Sequence, residues 1–408
     1  MHFTARPGLY SLALLIVLVG SLSAAEAETP LAKWENGPAA GDDHFTIGVW
    51  LQDPANAQRY RDLGVNLYIG LWQGPTRAQL EALREAEMPV IARQNDLART
   101  MLEEEDELLQ VIVGWKHQDE PDNAQRQDDG WGPPVPPEQI SRIRDKWHEH
   151  DGTRPVYLNL GQGVAWDGWI GRGERTGKPE DYSEYQKGAD ILSFDIYPAA
   201  STRATRGEHW RVGYGVKRLR AWTDDDKPVW NILEASRISG AGKVTPQEMR
   251  AQVWMSIIYG STGITWFVHE FEDGRYVTDR AILDDDELRP VMRQLNARLQ
   301  ELAPVIHGPT VEDGHTVELT EGEGDDRIKR DYGIAPVATM QKRHEGAVYL
   351  FAVRMRDATA EARFTIDGLE GGDEVAIIGE DRTLRSRDGT FSDKFEAWDS
   401  RIYRIESE

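Results

Sequence analysis

The chain contains no cysteine among its 408 residues. Disulfides, thiolate nucleophiles and lipidated cysteines are therefore excluded, and the fold must hold together through its core alone. Positive charge is also scarce. Lys and Arg number 47 against 70 Asp and Glu, which gives a net charge of −23 and a pI near 4.9. Such a chain repels phosphate backbones, so nucleic acid is not an expected partner. Past the first 27 residues no apolar run is long enough to cross a bilayer, so no membrane partner is expected. Histidines number only 10 and are scattered, and the strand ends carry no His-x-His pair, so neither a metal centre nor a cofactor is expected. A Gly-x-Ser-x-Gly elbow is missing, and Gly171-Arg172-Gly173 lies in a long loop rather than between a strand and a helix.

What is present begins with a leader. His2 and Arg6 precede an apolar run from Leu9 to Leu22, and Ala25-Glu26-Ala27 fits a small-x-small cleavage site. This pattern reads as a signal peptide over residues 1–27 and predicts a secreted or periplasmic protein. From Phe45 onward, short apolar runs alternate with amphipathic segments. The runs are Phe45–Leu51, Val65–Trp72, Pro89–Gln94, Val111–Gln118, Pro155–Leu160, Ile191–Tyr197, Pro228–Leu233 and Gly263–Val268. Between them, Thr76–Glu87 places Leu80 and Leu83 on one face, Pro137–His150 carries Ile140, Ile143 and Trp147 at helical spacing, and Thr245-Pro246-Gln247-Glu248 is a capping box. Asp286–Leu302 carries Leu288, Met292, Leu295 and Leu299 along one stripe. Eight strand–helix units in series predict an α/β fold, a (β/α)8 TIM barrel over residues 28–305. Pro304–Pro309 reads as a linker. Beyond it the runs are short and alternating, with Gly/Asp turns, and predict a small C-terminal all-β sandwich domain over residues 310–408.

In such a barrel, chemistry sits at the C-terminal strand ends. There the sequence offers Gln52, Trp72, Gln94 and Asn95, Gln118-Asp119-Glu120, Asn159, Asp195 and Tyr197, Glu234, Trp266, and His269-Glu270. The set is amide-rich and aromatic. Amides suit sugar hydroxyls, and indoles, of which the chain has 14, suit the apolar faces of sugar rings. Glu120 closes the fourth run and Glu234 the seventh, on strands that face each other across a barrel mouth. Glycoside hydrolysis needs two carboxyl groups, about 5–5.5 Å apart in a retaining enzyme. The long loops Asp122–Pro136 and Gly161–Asp181, the latter with Trp166 and Trp169, wall the cleft on the same rim. The expected partner is a carbohydrate substrate.

Four segments resemble the clan A retaining glycoside hydrolases: Gln118-Asp119-Glu120-Pro121, Phe194-Asp195-Ile196-Tyr197-Pro198, Asn231-Ile232-Leu233-Glu234 and Thr265-Trp266. The resemblance implies that Glu120 is the acid/base and Glu234 the nucleophile. It implies that Tyr197 hydrogen-bonds the nucleophile and that Trp266 floors the sugar site. The clan's usual Asn before the acid/base is Asp119 here, which accepts from a sugar 2-hydroxyl but cannot donate to it. Gln94, Asn95, Asn159, Trp72, His269 and Trp166 complete the expected substrate-binding set from their positions at strand ends or in the long loops. By alternation Asp195 points into the barrel with Tyr197, where a buried structural role is expected. Two other readings stand beside this one. The first is a non-catalytic carbohydrate-binding protein on a decayed barrel. The second is a uronate lyase or isomerase using Arg93, Lys116 and Arg237.

Overall fold

The computed structural model describes residues 30–406, apart from positions 241, 323 and 325; the leader read at residues 1–27 lies outside the described residues. Eight parallel strands close into a barrel: β1 (Thr46–Trp50), β2 (Leu67–Ile69), β3 (Val90–Ala92), β4 (Ile112–Lys116), β5 (Val156–Leu160), β6 (Ile191–Asp195), β7 (Val229–Glu234) and β8 (Gly263–Phe267). Each falls inside or within one residue of an apolar run of the sequence. These runs are nearly continuous because both faces of every strand are covered. One face fills the barrel with Trp50, Leu67, Ile69, Ile91, Tyr157, Ile191, Trp230 and Ile232, and Leu31 joins this cluster from the segment before β1. The other face packs outward against the helices.

The helices follow their sequence signals. α1 spans Ala57–Arg61, α2 Arg77–Glu85, α3 Asp96–Glu103, α4 Pro137–His150, α5 Tyr182–Tyr185 and α6 Trp210–Trp222; α7 spans Pro246–Ile258 and α8 Leu288–Glu301. Thr76 and Thr245 form the reciprocal capping boxes of α2 and α7, which satisfy backbone N–H groups that a helix start leaves unpaired. The presumed linker proves to be ordered. Residues Ala303–His307 form α9, with Pro304 in its first turn and Val305 and Ile306 buried. Proline there is compatible with a helix start, not a mark of its absence.

The C-terminal module has two antiparallel sheets. Strands β9 (His315–Gly322), β12 (Ala360–Ile366) and β15 (Thr390–Phe395) form one, in the order β9-β12-β15. Strands β10 (Val337–His344), β11 (Ala347–Arg354), β13 (Glu374–Ile377), β14 (Thr383–Arg385) and β16 (Ser400–Glu406) form the other, in the order β10-β11-β16-β13-β14. Leu350, Phe364, Phe391 and Tyr403 lie in the core between them. A short helix, α10 (Asp326–Tyr332), interrupts the module where no helical period was expected. The opposite face of the five-stranded sheet joins the barrel core through Met340, Phe351, Val353 and Ile402.

Candidate active site

Strand β4 ends at Lys116, and the next four residues turn across the C-terminal mouth. Glu120 sits at the bend with φ +40°. A side-chain-bearing residue held there carries strain on the order of 1–3 kcal/mol, and such strain gathers at functional positions. Hydrogen bonds hold the bend. Glu120 N donates to Asn159 O (3.2 Å), and Asn123 N donates back to Glu120 O (3.1 Å). The Asn123 amide donates to Glu120 Oε2 (2.8 Å) and accepts from the Trp169 indole (2.9 Å). Gly161 makes room for this group, since a Cβ there would stand 3.0 Å from Glu120 Oε1 and 2.7 Å from the Asn123 amide nitrogen. Beneath the bend, Asp122 is fully buried and accepts from Gly161 N (2.9 Å) and the Tyr182 hydroxyl (2.8 Å), while Arg172 donates to its carbonyl (3.3 Å). The two long loops expected as cleft walls are thus tied together under Glu120.

Facing Glu120 is Asp195, at the end of β6. The two carboxyls and the Tyr197 hydroxyl lie close enough to act on one another, and Asp195 Oδ1 has no hydrogen-bond partner among the described residues. Burial pushes Glu120 well above the usual carboxylate range, and the charges of Asp195 and Asp119 push it further. Burial likewise pushes Asp195 up, to about 7. Two carboxyls this close cannot both ionise, so the pair holds a proton that belongs to both. Asp119 is exposed and its Oδ1 accepts from the Asn159 amide (3.0 Å). Lys116 is buried in the barrel with its ammonium 4.4 Å from the Trp50 ring centroid, where the Asp119 charge acts on it. The mouth therefore gathers Glu120, Asp195, Asp119, Asn159, Tyr197 and Lys116.

Several expected site residues lie elsewhere. Glu234 is fully buried and both its oxygens are taken. Oε1 accepts from Ala199 N and from the Gln252 amide of α7, and Oε2 from Ala200 N, each at 2.8 Å. A carboxylate closed in this way is not presented to a sugar, and the Tyr197 hydroxyl lies beside Asp195 instead. Trp266 also lies away from the mouth. Its indole is fully buried on the outer face of β8 and donates to Asn296 of α8 (2.9 Å), so it belongs to the core between barrel and helices. The aromatic facing inward is its neighbour Phe267, 5.2 Å from the Tyr197 ring. Strand alternation carried this signal, because Phe267 pairs with Glu234 and Thr265 with the inward Ile232.

Gln94 is buried with its amide on Trp147 O (3.4 Å). Asn95 caps α3, accepting from Ala98 N (2.9 Å) and donating to Pro75 O (2.9 Å). Both are structural. Trp72 is exposed on the rim after β2. His269 packs against Phe267 at 5.1 Å and bonds Trp50 O (3.2 Å). Trp166 stands 5.9 Å from Trp169 and packs on the outer core, so Trp169 is the indole linked to Glu120. Arg237 turns to Glu272 (3.4 Å), which removes it from the uronate set.

No protein-family model and no curated protein matches this chain. Solved structures do. One described as a glycoside hydrolase has a TM-score of 0.52 at 12% identity, covering 92% of this chain and 98% of its own. The glycoside hydrolase family 30 subfamily 8 xylanase Xyn30A from Clostridium acetobutylicum has a TM-score of 0.45 at 10% identity, covering 89% and 96%. The α-amylase GTA from Geobacillus thermoleovorans, in complex with acarbose, has a TM-score of 0.45 at 11% identity, covering 91% and 100%. The likeness is one of fold.

Proposed function

We propose that this chain is a glycoside hydrolase whose proton donor is Glu120. One observation carries the reading: a carboxyl kept protonated by burial and by a second carboxyl, on a strained bend at the barrel mouth. Glu120 gives its proton to the glycosidic oxygen as the bond to the anomeric carbon breaks. Asp195 shares that proton in the resting site and so keeps it on the pair until the glycosidic oxygen takes it. Positive charge that develops on the sugar ring faces Asp119, the exposed carboxylate of the group. Retention by double displacement, with a β-linked oligo- or polysaccharide as substrate, remains part of this proposal. The attacking carboxylate in it is Asp119 rather than the enclosed Glu234. Action outside the cytoplasm follows if residues 1–27 are removed as a leader.

The test uses leaving groups of different basicity. Glu120→Gln is expected to lower kcat/KM for unactivated glycosides by about 10²–10⁴, while dinitrophenyl glycosides, which need no proton, lose far less. Asp119→Asn is expected to lower both alike. Equal activity of wild type and Glu120→Gln on every substrate would reject the assignment. The enclosure of Glu234 favours one second reading, a non-catalytic carbohydrate binder. Saturable oligosaccharide binding by the wild type with no turnover of any aryl glycoside would select it.

A further inference from the structure

A second site lies at the opposite end of the molecule from Glu120. A cavity of about 580 Å³ opens between the N-terminal ends of the barrel strands, helix α6 and strand β10 of the β domain. Lysine and arginine outnumber acids among its lining residues, in a chain whose net charge is −23. Lys342 of β10 is the centre of this cluster. It is 6% exposed, and its ammonium donates to Gly308 O (2.5 Å). Among the described residues no carboxylate stands within ion-pair distance of it. A buried cation without an acid partner is costly, and native structures place one where a charge will meet it. Burial pushes Lys342 down to about 8, the charge of Arg220 pushes in the same direction, and the charge of Glu312, which also lines the cavity, opposes them from beyond ion-pair distance. Arg220 reaches Asp225 (2.9 Å) and Tyr259 O (3.1 Å). The neighbour of Lys342 in the chain, Gln341, is fully buried on the opposite face of β10, level with Leu350 of the sandwich core and with His315 beside its amide. Lys217, exposed at the rim, donates to Gly333 O (3.2 Å).

We propose that this cavity binds a small oxyanion, a phosphate, sulfate or carboxylate group, between Lys342 and Arg220. The anion supplies the charge that Lys342 lacks and the acceptors that an ammonium and a guanidinium require. Because α6 belongs to the barrel and β10 to the β domain, the bound group staples the two together. The site is independent of the glycosidase reading.

The test is thermal unfolding of the full chain with inorganic phosphate, inorganic sulfate or glucuronate, each against sodium chloride at matched ionic strength. A saturable rise in Tm is expected with at least one of them. A response to the inorganic ions alone assigns the site to free phosphate or sulfate, and a response to glucuronate assigns it to sugar acids. Lys342→Met keeps the stem volume and removes the buried charge, so its unliganded Tm is expected to hold or rise, and its affinity to fall about tenfold or more. Lys217→Gln, at an exposed position, is expected to weaken binding by a smaller factor and covers the case in which the first variant does not fold. No saturable rise with any of the three, or the same rise in both variants as in the wild type, would overturn the proposal.

Discussion

At the scale of single residues, the carboxyl pair makes the sharpest statement about pH. Burial raises Asp195 above its unfolded value, so the native state holds a proton that the unfolded chain releases. Stability is then greatest below the usual Asp range and is lost as pH rises from about 4 towards 7. Asp195→Asn removes the dependence. The variant's melting temperature relative to wild type is expected to be higher at pH 8 than at pH 4.5, and its alkaline activity limb is expected to move. A constant difference in Tm between the two pH values would show that the pair holds no proton. Glu120 and its Asp-Glu-Pro-Asp setting were legible in the sequence because the acid ends an apolar run. Asp195 was legible as an inward residue, but its role was not. Only the folded chain brings its carboxyl against Glu120.

At the scale of elements, Glu234 shows how a strand end can be read correctly and its chemistry misjudged. It does close β7. Its carboxylate, however, meets two successive backbone N–H groups, Ala199 and Ala200, from the loop after β6, and these partly offset the burial that pushes it above the usual carboxylate range. Glu234 therefore anchors the loop that carries Tyr197 and follows Asp195. Glu234→Gln replaces one of two acceptor oxygens by an amide NH2 that faces donors, at a cost of about 1–3 kcal/mol. A lower Tm with activity per folded molecule reduced less than tenfold is the expected result. A loss of about 10⁴ or more in kcat at unchanged Tm would restore the nucleophile assignment. Trp266 teaches the same lesson on β8, where one residue of phase separates the lumen from the helix layer. Local signals fared best where the deciding interaction is itself local, as in the capping boxes at Thr76 and Thr245.

At the scale of the whole molecule, barrel and β domain share a core. Phe351 of β11 packs 5.8 Å from Trp254 of α7, Trp398 stacks 4.5 Å from His209, and Gln247 donates to Ala397 O (2.6 Å). Cutting the chain after Gly308 would expose this face of α7, and large apolar patches drive association. The truncated barrel is expected to aggregate, and the full chain to unfold in a single calorimetric transition. Two resolved transitions, or a soluble monomeric barrel, would contradict a shared core. The barrel could be read from local periodicity, in which eight doubly buried strands and their capped helices are written out. The sequence also placed Glu120 at a strand end. Which acids meet was decided by the tertiary structure alone. Contact across the barrel depends on where loops from distant parts of the chain direct their side chains and backbone donors, and no local pattern records that.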